Sequence, residues 1–202
     1  MRHSASLASC LALAAAVMST AAPALAADRT GEYSVRGAGA QRCAAYVEAV
    51  EGNKPELGAY VGYIDGALTT TSRLTPNVFD VNPFILPGSF AAIVMNICKA
   101  TPDRLFDVAV RAGVEAITRA RVANTSPVLE MVVEPNRMNL RAETLRAVQA
   151  RLKTLNLFRG EPDGRWGPAT QESLRRYQEA NRMPVTSLPD PDTVLALLVR
   201  QP

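Results

Sequence analysis

Histidine is nearly absent from this chain, one in 202 residues and that one at position 3. Residues 1–26 read as a cleavable export signal, so the imidazole is expected to leave with it. Without imidazole there is no histidine-ligated zinc peptidase, no Ser-His-Asp triad and no Cys-His transpeptidase pair. Lysine is also scarce, three against nineteen arginines. The residues three positions before each lysine are Glu51, Asn96 and Ala150, so no Ser-x-x-Lys nucleophile occurs. Aromatic residues make up 5%, with one tryptophan, Trp166. No metal cluster, phosphate loop or dinucleotide fingerprint is visible, and no cofactor is expected. Beyond the signal, no apolar run approaches the roughly 20 residues of a membrane-spanning helix.

The export signal is read from Arg2, the short apolar run Leu7–Met18 and the small residues Ala24-Leu25-Ala26 before the cut. Leu7-Ala8-Ser9-Cys10 resembles a lipoprotein signal, but the apolar run falls mostly after Cys10 instead of before it. The expected location is the periplasm, which excludes nucleic acid as a partner. Cleavage leaves two cysteines, Cys43 and Cys98. An even count in an oxidising compartment reads as a disulfide. Closing such a loop is worth up to ~4 kcal/mol in the chain-entropy view. A reactive thiol, activated by an arginine or a helix terminus, is the other reading.

Charge divides the chain. Residues 27–135 carry ten Lys/Arg and twelve Asp/Glu, whereas residues 136–202 carry eleven and seven. The basic tail suits an anionic partner, although arginine-rich helix surface is also common coding bias. Residues 123–139, with Asn124-Thr125-Ser126-Pro127 and Glu134-Pro135-Asn136, read as a short linker with an extended piece at Val128–Val133. The expected organisation is a signal peptide (1–26), an all-α N-terminal domain (27–122), the linker, and an all-α C-terminal domain (140–202).

In the C-terminal part, Leu145, Val148, Leu152 and Leu155 recur on one helical face from about Leu140 to Leu155. Asn139 is placed to cap that helix. Asp163-Gly164 signals a turn. Gly167-Pro168 and Asp190-Pro191 each open a further helix with proline at its first position, carrying Leu174 and Tyr177, then Leu195 and Leu198, inward. The pattern Pro168-Ala169-Thr170…Leu174 returns as Pro191-Asp192-Thr193…Leu197, 23 residues later.

The series Leu145…Gln149…Leu152…Phe158…Gly160…Asp163-Gly164…Gly167-Pro168…Thr170…Leu174…Tyr177-Gln178…Asp190…Thr193…Leu197 resembles the three-helix peptidoglycan-binding domain that accompanies wall hydrolases and transpeptidases. Two departures stand out: Arg182-Met183 and Thr186-Ser187 replace the family's Gly-Leu and Thr-Gly. The resemblance implies peptidoglycan as ligand. Most motif residues read as structural, with Tyr177 in the core and Gln178 bonded to nearby backbone. The ligand candidates are Arg159, Asp163, Arg165, Trp166 and Arg176. Arginine forks suit stem-peptide carboxylates, and an indole face suits sugar C–H surface. Trp166 reads equally well as a seal under the loop.

The N-terminal part reads as four helices. Cys43, Tyr46, Val47 and Val50 mark the first, and Tyr60, Ile64 and Leu68 the second. Phe90, Val94 and Ile97 mark the third, and Leu105, Val108, Ala112 and Ala116 the buried face of the fourth, with Thr101 as its cap. Gly58, Gly62 and Gly66 are expected to admit a close neighbour. A loop at 75–88 should fold back through Phe79, Val81, Phe84 and Ile85. Tyr60-Val61-Gly62-Tyr63-Ile64-Asp65-Gly66, with Asn77…Asp80 and Cys98…Pro102…Phe106…Ala109, resembles small HdeA-like periplasmic helical proteins, which include acid-stress chaperones; type VI immunity proteins look broadly similar. That resemblance implies a disulfide-pinned domain without a catalytic role.

The expected function is a non-enzymatic, wall-binding protein that tethers a helical interaction domain, with a periplasmic protein as a possible second partner. The alternatives are a component of wall hydrolysis, for which Glu172-Ser173 resembles a lytic transglycosylase pair, and a tethered stress chaperone or immunity-like protein.

Overall fold

Aromatic residues at helical spacing organise the N-terminal half. α1 (Cys43–Glu51) buries Cys43, Tyr46 and Ala49, and α2 (Leu57–Leu74) buries Tyr60, Ile64 and Leu68. α3 (Pro87–Ala100) turns Phe90, Val94 and Cys98 inward, and α4 (Phe106–Ile117) adds Phe106, Val110 and Ile117. The Phe106 ring is the hub, 4.6 Å from Tyr46, 4.9 Å from Tyr60 and 5.9 Å from Tyr63. Tilted and edge-on contacts of this kind are the ones the ring quadrupole favours. A disulfide joins Cys43 on α1 to Cys98 on α3. The structure, a computed structural model, describes residues 28, 31–85 and 87–200. The expected export signal, with His3 and Cys10, lies outside them.

Several local expectations are corrected. Thr101 does not cap α4: its hydroxyl donates to the Ile97 carbonyl at 2.9 Å, closing α3, and α4 begins only after Leu105. The buried face of α4 is rotated from the expected one. Phe106, larger than Leu105, takes the core position, which leaves Leu105, Ala112 and Ala116 exposed. Gly58, Gly62 and Gly66 admit no neighbour; a Cβ at any of them would meet open space. The close approach is at Gly39, where a Cβ would overlap the Tyr63 ring. In the 75–88 loop Val81 and Phe84 are buried as expected, but Phe79 stays 44% exposed.

The chain is mostly helical and not all-α. Residues 123–139, expected as linker, hold β1 (Val128–Val133) and most of β2 (Asn136–Arg141), an antiparallel pair in register from Val128↔Arg141 to Val133↔Asn136. Asn139 pairs with Glu130 in that ladder and caps nothing; α5 (Ala142–Thr154) starts after Arg141. Strand pairing wins because alternate residues Met131 and Leu140 are fully buried with Leu145 and Leu188. α6 (Pro168–Ala180) and α7 (Pro191–Leu198) follow as the prolines indicate. Leu174, Tyr177, Leu195 and Leu198 are buried, but Leu155 is left 37% exposed and Phe158 fills the helix exit instead.

The described residues from 35 onward make up one unit with a buried cluster running from Cys43 to Leu198. Its two halves are sewn together around the start of α5. The Glu143 carboxylate accepts from the Ala123 and Asn124 N–H groups at 3.0 Å each, and Thr144 Oγ1 donates to the Pro83 carbonyl at 3.3 Å. Arg141 pairs with Asp80 at 3.8 Å and lies 4.8 Å from the centre of the Phe79 ring.

Candidate functional site

Two buried glutamines shape the loops of the C-terminal module. Gln149, on α5, is 1% exposed. Its Nε2 donates to the Arg165 carbonyl and Thr170 Oγ1 at 3.0 Å each, and to Asp163 Oδ1 at 3.2 Å. Its Oε1 accepts the Gly164 N–H at 2.7 Å. Gly164 sits at φ +73°, and a Cβ there would stand 2.5 Å from the Ala142 carbonyl oxygen. Only glycine satisfies both conditions. The loop thus passes tightly over the start of α5.

The second loop repeats the device. Gln178 Nε2 donates to Thr186 Oγ1, the Leu188 carbonyl and Thr193 Oγ1 at 2.9 Å, and to Asp190 Oδ2 at 3.1 Å. Its Oε1 accepts the Ser187 N–H at 2.8 Å. Gly164 to Ser187 and Thr170 to Thr193 are each 23 residues apart. The spacing noted in the sequence is therefore a repeated hydrogen-bond pattern: a glutamine amide reading one left-handed N–H and one helix-opening threonine. Ser187 and Arg182 hold φ +56° and +55°, left-handed turns at non-glycine positions.

The first loop presents four of the five ligand candidates. Arg159 and Arg165 are exposed. Asp163 is exposed but also builds the loop, Oδ1 accepting the Arg165 N–H at 2.9 Å. That hydrogen bond is the largest influence holding its carboxyl below the ordinary value. Trp166 is half-buried and packs on the main core and on the Met131–Leu188 cluster, so it seals the loop against the hairpin. Arg176 stands apart on α6, its guanidinium on Glu172 at 2.8 Å. Glu172 also receives Arg175, which spans to Glu179. Hydrogen bonds from Arg175 and then Arg176 hold the Glu172 carboxyl down to about 2. A general acid needs the opposite shift, and Ser173 is turned to the Leu157 and Ala169 carbonyls at 2.9 and 2.7 Å. Glu172 is thus engaged by arginines and Ser173 by backbone carbonyls. Among the described residues no group of His, Cys, Asp and Glu is arranged to hold a metal, and no helix is long and apolar enough to cross a membrane.

The hairpin is what sequence reasoning missed. The extended piece expected at Val128–Val133 is β1; its partner β2, with Asn136, Arg137 and Asn139, carries no strand signal.

Residues 141–197 match the family described as a peptidoglycan binding domain. The matched span begins at the last residue of β2 and ends in α7, and contains both glutamine-organised loops. Residues 40–120, where the HdeA-like resemblance lies, are outside it. No curated protein and no solved structure matches the chain.

Proposed function

We propose that this is an exported, non-enzymatic wall protein in which the C-terminal module binds peptidoglycan and holds the N-terminal helices at the wall. The observation that carries it is the peptidoglycan binding domain at 141–197, whose first loop leaves Arg159 and Arg165 exposed beside Asp163 and Trp166. Guanidinium forks at that loop fit the carboxylates of stem peptides. Tethering raises the effective concentration of the attached helices for anything else at the wall.

The test is cosedimentation of the full chain with purified sacculi at moderate salt. The chain should pellet with the wall, and R159A/R165A should weaken that by at least several-fold without changing the far-UV circular dichroism. A chain that stays in the supernatant refutes the reading. A clear band that tracks this protein on a sacculus zymogram refutes the non-enzymatic part. Export is checked by N-terminal sequencing of the periplasmic form, expected to begin at Ala27.

A further inference from the structure

We propose a second sugar-binding site, in the cleft between α2 and residues 75–85, that takes a short uncharged strand of N-acetylated sugars. Its ligand class rests on the wall-binding reading. The cleft has a volume of about 620 Å³, within the ~300–1,000 Å³ range of small-molecule sites. Asp65, Thr69, Ser72 and Arg73 line one wall as a polar stripe on α2, and Phe79, Asp80 and Asn82 line the other. Asp65 and Asp80 stand against Arg73 in the cleft and Arg141 beside Phe79, so the charges balance and favour an uncharged ligand. The hydroxyls, carboxylates and amide suit sugar hydroxyl and N-acetyl groups. Phe79 supplies the apolar surface that sugar C–H groups need.

The wall carrying Phe79 is held in place before any ligand arrives. Asp80 exchanges backbone hydrogen bonds with Val122 at 2.8 and 3.1 Å, and its Oδ1 accepts the Asn82 N–H at 2.9 Å. Ser72 Oγ accepts the Val81 N–H at 3.0 Å, which ties the 75–85 segment to α2. The Arg141 guanidinium backs the Phe79 ring and pairs with Asp80. Arg141 directly precedes α5, so the cleft is fixed to the first residue of the matched module. Burial, the largest influence, raises the Asp80 carboxyl above its ordinary value, consistent with a site built for neutral partners.

Isothermal titration of the full chain with the N-acetylglucosamine tetramer tests the site. Saturable binding is expected, weakened at least tenfold by Phe79→Ala and by Thr69→Trp. Thr69 is exposed, so its tryptophan fills the cleft without entering the core, and circular dichroism checks each fold. No saturable binding, or binding by both variants equal to the parent, overturns the proposal. Sacculus cosedimentation of the same samples separates the two readings. Pelleting without tetramer binding removes the cleft alone, whereas tetramer binding without pelleting supports the cleft and removes the wall-binding module.

Discussion

Replacing Gln149 by leucine should undo the first loop of the module. The change keeps the side-chain size and removes the amide. Four hydrogen bonds go with it, but they are not equivalent. Asp163 Oδ1 still accepts from the Arg165 N–H, and the Thr170 hydroxyl can rotate. The Gly164 N–H is buried between Gln149 and α5 and has nowhere else to go. An uncompensated buried donor costs ~1–3 kcal/mol, and each lost hydrogen bond a net ~0.5–1.5 kcal/mol; the added apolar contact offsets part of this. About 2–4 kcal/mol is the expected loss, against a total stability of ~5–15 kcal/mol for an ordinary domain. Urea unfolding of the full chain would measure it. Gln149→Glu is the sharper variant. It keeps the acceptor for Gly164 but turns a lone pair on the Arg165 carbonyl and Asp163 Oδ1 that Nε2 now serves, so it should cost at least as much as leucine at neutral pH. If both variants unfold within ~0.5 kcal/mol of the parent, a common result for neutral surface changes, the amide does not organise the loop.

Ser187→Gly and Arg182→Gly should each stabilise by up to ~1 kcal/mol, since a left-handed conformation costs a non-glycine residue ~1–2 kcal/mol and glycine gives part of that back in entropy; denaturant midpoints decide it. Gly39→Ala should destabilise by ~1–3 kcal/mol through overpacking, because the new methyl overlaps the Tyr63 ring and displaces the Tyr63 hydroxyl from Asp107, now 2.7 Å away. Reducing Cys43–Cys98 should lower stability by ~2–4 kcal/mol, seen as a lower melting temperature in the presence of reductant. The Glu172 carboxyl, depressed to about 2 from 4.5, should contribute fully above its unfolded value, lose that contribution progressively as pH falls below it, and have none left once pH passes about 2. NMR titration of its carboxyl carbon would refute this by showing a midpoint near 4.5.

The helices were legible because their cues are local. Tyr60, Ile64 and Leu68 announce a face by spacing alone, and Pro168 and Pro191 announce helix starts by what proline cannot do. Cys43 and Cys98 could be paired from their count. What stayed hidden depends on partners distant in sequence. Asn139 looks like a cap until Met131 and Leu140 are seen to bury as diagonal neighbours on paired strands. Thr101 looks like a start signal until the Ile97 carbonyl claims its hydroxyl. The glycines of α2 looked like a contact surface because their spacing is regular, but spacing says nothing about whether a neighbour is there. At the candidate site, the loop residues were readable as exposed or turn-forming, while the double use of Asp163 and the ion-pair role of Arg176 required coordinates.

The two loops share one hydrogen-bond pattern but face different surroundings. Both are held by a glutamine, a left-handed N–H and a threonine, so both glutamines are fixed by folding. The first loop turns Arg159, Asp163 and Arg165 to solvent. The second, through Pro184, Thr186, Pro191 and Asp192, lines a groove of about 820 Å³ whose other wall is Ile93, Asn96 and Ile97 of α3. A loop facing the N-terminal helices is screened on that side from a polymer as large as the wall. Arg182 and Ser187 hold their left-handed turns there at a modest conformational cost. Gly164 has no such latitude, since the Ala142 carbonyl lies where a Cβ would go. On this reasoning Gly164→Ala should impair both folding and wall binding, whereas Ser187→Ala should leave wall binding unchanged. Loss of sacculus pelleting in a folded Ser187→Ala protein would mean that the second loop, not the first, meets the wall.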